Sequence, residues 1–260
     1  MRCGGKISTG GFPEELKGAA GTAVVMGSGL SPGRWPGKVL AGAEYADIDG
    51  MTVPAVEGHP GRLLLLDTGG GSRLLVFAGR AHLYEGAGWE GAGCAAAAAA
   101  ALGCRRIILT QAAGSLKRSL PEGSWLLPSG IVSLPWSDSR FSSSGRPAIS
   151  KRLRRSVASA AAETGLEVAD GVLFWTPGPL YETPLEAAAA VLMGADAATM
   201  SPLPELAAAA RMGLEAACLS FITNFAPNVS RGSTGHEEVL EGGRRGSRAL
   251  SRLLPRLAKI

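Results

Sequence analysis

The chain has 260 residues, 46% hydrophobic and 18% charged, enough for one large core or two small ones. Its 37 glycines follow no collagen period, and its net charge of +4 gives no more than a mild pull on a small anion. The basic clusters at Lys151 to Arg155 and Arg244 to Arg248 have few aromatics among them, so they read as solvated helix faces rather than a nucleic-acid surface.

Cys3, Cys94, Cys104 and Cys218 are scattered, with no C-x-x-C pair. That spacing argues against a zinc site or a disulfide framework and fits a reducing cytoplasm. The first residues lack an apolar signal core. The alanine run from Ala95 to Ala101 is too short to span a membrane. A cytoplasmic protein without membrane contact is expected.

In chain order, Thr22 to Met26 predicts a buried strand ending in Gly27-Ser28-Gly29. Leu63–Leu66 and Leu74–Phe77 predict a strand pair around a glycine-rich turn. A helix is expected over 91–102 and a strand over 106–110. Short strands are expected at 124–127 and 131–134. The segment from Pro128 to Pro147, rich in Ser, Pro and Gly, reads as a loop. Then come a helix at 149–164, a strand at 172–175, a helix at 185–193 and a short strand at 197–200. A helix at 204–212, a strand at 216–223 and a helix from Glu237 to Leu257, broken near Pro255, complete the chain. Strands alternating with helices imply an α/β fold with both sheet faces covered. No internal repeat or linker divides residues 1–260, so one domain is expected.

Open α/β sheets bind ligands beyond their strand ends, and several expected ends carry polar residues. Gly27-Ser28-Gly29 offers amides and a hydroxyl, which suit phosphate. It fails as a dinucleotide fingerprint, because Pro32 occupies the third glycine position. Arg80, His82 and Tyr84 share one face if the chain stays extended after its strand. Arginine and histidine there supply donors for an oxyanion. Asn224 offers a donor and an acceptor to one heterocycle. His59 reads as a turn residue, and His236 precedes a helix. The segment from Gly178 to Glu186 places Tyr181 beside Glu182 in a turn bracketed by Pro179 and Pro184. A ring beside a carboxylate suits a flat heterocycle bearing N–H donors. The alternative puts Tyr181 over a core and Glu182 in the first turn of a helix, where the dipole favours it.

The chain resembles the trimeric purine nucleoside phosphorylases of the nucleoside phosphorylase superfamily. The motifs are Gly27-Ser28-Gly29-Leu30, Glu57-Gly58-His59, Gly79 to Gly86, Ala112-Ala113-Gly114 and Gly178 to Pro184. Gly194-Ala195-Asp196, Met200-Ser201, Pro204-Glu205, Thr223-Asn224 and His236-Glu237-Glu238-Val239 follow in the family's order. The resemblance implies a central mixed, partly barrel-like β-sheet flanked by helices. It implies a homotrimer, and a reaction of purine nucleoside with phosphate to give free purine and pentose 1-phosphate, with no metal or other cofactor. Ser28, Arg80, His82, the Ala112 backbone and Ser201 would then hold phosphate. Tyr84, Met200 and His236 would surround the pentose. Ala113, Gly114, Tyr181, Glu182, Met200 and Asn224 would hold the base. His82, Glu182, Asn224 and His236 would carry the catalysis. Asparagine at 224 goes with 6-oxopurines, whereas methylthioadenosine phosphorylases carry aspartate.

The sequence departs from that pattern in several places. Gln111 replaces a usual asparagine, Ala198-Thr199 a usual Val-Gly, and Phe225 a common lysine. Gly114-Ser115-Leu116-Lys117 resembles the methylthioadenosine branch. Residues 129–150 are shorter than the family's segment, which lends an aromatic residue to a neighbouring subunit; Trp136 and Phe141 are the aromatics available. A methylthioadenosine phosphorylase and a non-catalytic purine binder are the alternative readings, and a dinucleotide-dependent dehydrogenase fits least.

Overall fold

The computed structural model describes residue 7 and residues 11–134, 149–230 and 236–260. Its strands are β1 (Thr22–Val25), β2 (Lys38–Glu44), β3 (Arg62–Asp67), β4 (Arg73–Ala78), β5 (Arg106–Ser115), β6 (Trp125–Ser133), β7 (Ala169–Trp175), β8 (Ala197–Thr199) and β9 (Glu215–Phe225). The helices are α1 (Gly88–Ala92), α2 (Cys94–Ala101), α3 (Lys151–Glu163), α4 (Pro184–Leu192), α5 (Leu203–Met212) and α6 (His236–Leu257).

The strands form one mixed sheet in the order β2-β3-β4-β1-β5-β8-β7-β6-β9, and β9 pairs back onto β5. Five strands therefore close on themselves, and four continue outward as an open wing. β5 belongs to both parts. It lies parallel to β1 and β9 and antiparallel to β8.

Strand alternation divides the interior into two cores. Ile107 and Leu109 of β5, with Ala23 and Val25 of β1, face a cluster built on α2 and α5. Ile108 and Val24 face the opposite cluster, where Leu153 and Val157 of α3 meet Leu250, Leu253 and Leu254 of α6. The alanines of α2 contribute little side-chain volume, so this helix lies close against α5.

Several boundaries differ from the sequence-based expectation. β5 runs to Ser115, through Gln111 and Gly114, because β9 and β8 supply partners along its whole length. The two short strands expected at 124–134 are one strand, β6, which stays paired with β7 across a register shift between Pro128 and Gly130. Thus 128–133 is sheet, and the rest of the expected loop, with Trp136 and Phe141, lies outside the described residues. β2 carries no strand signal because it is a largely exposed edge strand whose inward residues, Ala41 and Ala43, are small and only partly buried. The helix expected over 91–102 divides at Gly93, where a Cβ would stand 2.9 Å from Ala208 Cβ and 3.0 Å from the Pro204 carbonyl. α6 continues past Pro255, which falls in its last turn, so one missing N–H does not end it.

α6 lies directly on the loop after β1. A Cβ at Gly243 would be 2.5 Å from the Ser28 carbonyl oxygen and 2.9 Å from Gly29 Cα. Both are backbone atoms, so neither can yield without moving the loop. Gly243→Ala is expected to cost about 1–3 kcal/mol by overpacking, read as a lower Tm.

Candidate active site

The ends of β1, β4, β5, β8 and β9 converge on one cleft. Its lining includes Ser28, His82, Tyr84, Gln111, Ala112, Ala113, Gly114, Tyr181, Glu182, Met200, Ser201 and Asn224. Counting all the space out to its open mouth, it spans about 680 Å³. Most of the residues expected at the site are thus brought together. The backbone of His236 opens α6, but its side chain lies outside the described residues. Val239, one turn later, reaches the cleft.

One end of the cleft is fit to receive an anion. Arg80 N donates to His59 Nδ1 at 3.2 Å, and a backbone amide can only donate. His59 therefore carries its proton on Nε2 and donates it to Ser28 Oγ, 3.0 Å away. The Ser28 hydroxyl keeps its own proton for another acceptor. His82 Nδ1 lies 2.8 Å from Glu85 Oε1, and a carboxylate only accepts, so Nδ1 is protonated. Burial pushes the Glu85 carboxyl up, but hydrogen bonds from His82 and Ala55 outweigh it and hold it below its usual value. The anionic Glu85 accepts from Nδ1 and thereby orients the imidazole at the cleft wall. His59, read from sequence as a turn residue, belongs to this network. Its Glu57-Gly58-His59 motif was the available signal, and the fold brings it to β1.

Arg80 departs from expectation, because it does not line the cleft. Its side chain is buried, with Nε 3.0 Å from Glu205 Oε1 on α5. A buried guanidinium needs a counter-charge, and Glu205 supplies it. The contact is off the hydrogen-bond line, and both Arg80 amino groups lack a hydrogen-bond partner among the described residues.

The middle of the cleft is walled by Tyr84 and Met200. Tyr84 stacks on His82 with ring centroids 4.9 Å apart. Burial first, then the charge of Glu85, push its phenol well above the usual value, so it stays neutral. Gly178 lies between these walls with φ +71°, and a Cβ there would come within 2.5 Å of Met200 Sδ and 2.6 Å of Tyr84.

The far end holds the heterocycle candidates. Thr183 caps α4, and Glu186 reciprocates with a 2.8 Å bond from Thr183 N. Glu182 thus precedes the cap and is not in the first helical turn, and its Oε1 accepts from Thr176 Oγ1 at 3.0 Å. A bulge offsets β5 from β9 at Ala113 and Gly114, pairing Ala113 with Ile222 and Gly114 with Asn224. Ordinary alternation would send Thr223 and Asn224 to opposite faces, yet both line the cleft. Thr223 Oγ1 donates to Asn224 Oδ1 at 2.8 Å, and Asn224 Nδ2 donates to the Phe225 carbonyl at 3.1 Å. The Phe225 carbonyl can only accept, so it dictates the amide orientation. One N–H and one carbonyl lone pair remain for a ligand.

The sequence profile of the phosphorylase superfamily matches residues 24–259. The chain belongs to this superfamily. Similar members include a purine nucleoside phosphorylase of Mycobacterium tuberculosis, 35% identical over 89% of this chain and 86% of that protein. Another, from a Cellulomonas species, is 34% identical over 91% of this chain and 86% of that protein. Among solved structures, a Schistosoma mansoni purine nucleoside phosphorylase in complex with inosine superposes with a TM-score of 0.78. It is 26% identical, covering 94% of this chain and 92% of that one. A Schistosoma enzyme in complex with hypoxanthine gives 0.77, also at 26%, covering 92% of this chain and 90% of that one. The superfamily's central closed sheet is the five-stranded ring described above.

The buried Glu205 gives the site a pH signature. Burial pushes its carboxyl from 4.5 up to about 7, against the opposing pull of Arg80. The folded state binds this proton more tightly than the unfolded state does. Stability contributed by the group is therefore lost as pH rises from 4.5 to about 7. Glu205→Gln removes that slope, and the cost of leaving Arg80 without a counter-charge is the same at both ends. Relative to wild type, the variant's stability is expected to improve as pH rises through this window, read from melting curves at several pH values.

Proposed function

We infer that the cleft binds a purine nucleoside and phosphate together and carries out their reversible phosphorolysis. The protein is a pentosyltransferase of the purine nucleoside phosphorylase type. The observation that carries this is the order of groups along one cleft: oxyanion donors, an aromatic and thioether wall, then a carboxylate beside an oriented carboxamide. That order matches the three parts of the substrates. The named relatives and the inosine and hypoxanthine complexes support it. A methylthioadenosine phosphorylase would call for an aspartate where Asn224 stands.

A phosphate oxygen attacks C1′ of the pentose, and the C1′–N9 bond breaks with its electron pair passing to the purine. The hydrogenphosphate proton ends on the purine, so charge and atoms balance. Ser28, His82, Ser201 and the Ala112 backbone would hold the phosphate. The same reading assigns Arg80 there, supported by its two unpartnered amino groups, provided it turns from Glu205. Bound phosphate offsets positive charge building on the sugar. Tyr84, Met200 and His236 would flank the pentose. Tyr181 would stack on the base, against the backbone of Ala113 and Gly114. Glu182 would accept the N1–H of a 6-oxopurine. Asn224 would donate to O6 and accept the N7–H formed as the base departs. Positioning the two reactants supplies much of the acceleration, up to roughly 7–11 kcal/mol. The reading calls for phosphate as co-substrate and no further cofactor.

Homotrimeric assembly is part of the same proposal. Beside the base pocket, Leu180, Leu185 and Leu192 are 83%, 83% and 89% exposed. Leu185 and Leu192, seven residues apart on one face of α4, support burial of that face against another copy. A cytoplasmic location also belongs to the proposal. In its support, no helix among the described residues is long and apolar enough to cross a membrane.

Hypoxanthine release from inosine is expected to require phosphate and to persist in a chelating buffer. Glu182→Ala is expected to lower kcat/KM for inosine about 100-fold, the cost of a charge-assisted hydrogen bond. A coupled assay comparing inosine, guanosine, adenosine and methylthioadenosine checks both. Release from methylthioadenosine alone would overturn the 6-oxopurine assignment.

A further inference from the structure

Glu182 can recognise a base only if its carboxylate is held in place. A glutamate has three rotatable side-chain bonds, and immobilising it costs rotamer entropy. Its loop is anchored at both ends. Downstream, Thr183 is fixed by its reciprocal bonds with Glu186. Upstream, Thr176 follows β7, and its N–H donates to the Thr199 carbonyl at 3.1 Å. Pro177 restricts the Thr176 backbone to extended conformations. The Thr176 hydroxyl is thereby aimed back across the loop, 3.0 Å from Glu182 Oε1.

We propose that Thr176 is a positioning residue for base recognition: its hydroxyl pins one oxygen of Glu182 and turns the other toward the N1–H of the purine. The proposal rests on the base-binding role assigned to Glu182 above. A carboxylate cannot donate, so the Thr176 hydroxyl must be the donor in this bond. That leaves the polarity of the pair fixed. The second carboxylate oxygen then faces the cleft as an acceptor, which favours bases with a ring N–H and disfavours those presenting a bare ring nitrogen at the same edge. Thr176 does not line the cleft, so it acts through Glu182 rather than on the ligand. The short segment between Thr176 and Glu182 includes Gly178, wedged between Tyr84 and Met200. The loop therefore cannot drift far when the hydroxyl is removed, and the loss should fall on the carboxylate's aim.

Thr176→Val keeps the branched shape and deletes the donor; Thr176→Ser keeps the donor. Turnover of inosine is compared with that of purine riboside, which lacks the N1–H. For Thr176→Val, kcat/KM for inosine is expected to fall about tenfold, with purine riboside and the KM for phosphate unchanged. Thr176→Ser is expected to restore most of the inosine activity. On a Glu182→Ala background, Thr176→Val should cost nothing further. Equal loss for both nucleosides would mean a structural role and overturn the proposal, as would no loss for either. If Glu182→Ala is costly while Thr176→Val is harmless, this proposal alone fails. If Glu182→Ala leaves inosine turnover intact, the base-binding reading fails with it.

Discussion

β5 is the strand on which the site depends. Its first half pairs with β1 on one side and β9 on the other, while its end also meets β8. A strand with this many neighbours has to be apolar on both faces at its start, and Ile107-Ile108-Leu109 meets that demand. Because β5 is shared, the open wing and the closed ring deliver their strand ends to one place. Gln111, Ala112, Ala113 and Gly114 extend from its buried part into the cleft. The bulge at Thr223 then turns two consecutive residues of β9 toward the same ligand space.

Around that frame, polar groups are held by partners whose hydrogen-bonding roles are fixed. A backbone amide sets the tautomer of His59, and a carboxylate sets that of His82. A backbone carbonyl sets the orientation of Asn224. None of these partners needs to touch a ligand to decide what the site can accept. Preorganisation of this kind is how a small number of donors can act on charge that develops only during bond breaking. The buried Arg80–Glu205 pair lies behind the cleft, where burial raises the Glu205 carboxyl above its usual value.

Much of this was legible in the sequence because it rests on local rules. The strand ending in Gly27-Ser28-Gly29 is an apolar run stopped by glycines. The helix expected over 185–193 begins at Pro184, a residue suited to a first turn. Tyr181, Glu182 and Asn224 are heterocycle-binding side chains by residue type and local context, and all three line the cleft. Edge strand β2 is not legible, since its half-buried face is carried only by the small side chains of Ala41 and Ala43. β6 read as two pieces because Pro128 and Gly130 interrupt its pattern, while its partner strand holds it together.

The sequence alone determined which chemistry was available: oxyanion donors, a stacking ring, a carboxylate and a carboxamide, each at a strand or helix boundary. Residue types and local breaks carry that information directly. The tertiary structure alone decided which groups meet. It brought His59 to Ser28, set Arg80 against Glu205 behind the cleft, and placed Thr176 on Glu182. Those pairings join residues from different strands, helices and loops. Their geometry depends on strand register, one bulge and the closure of a five-stranded ring, and no stretch of sequence contains these by itself.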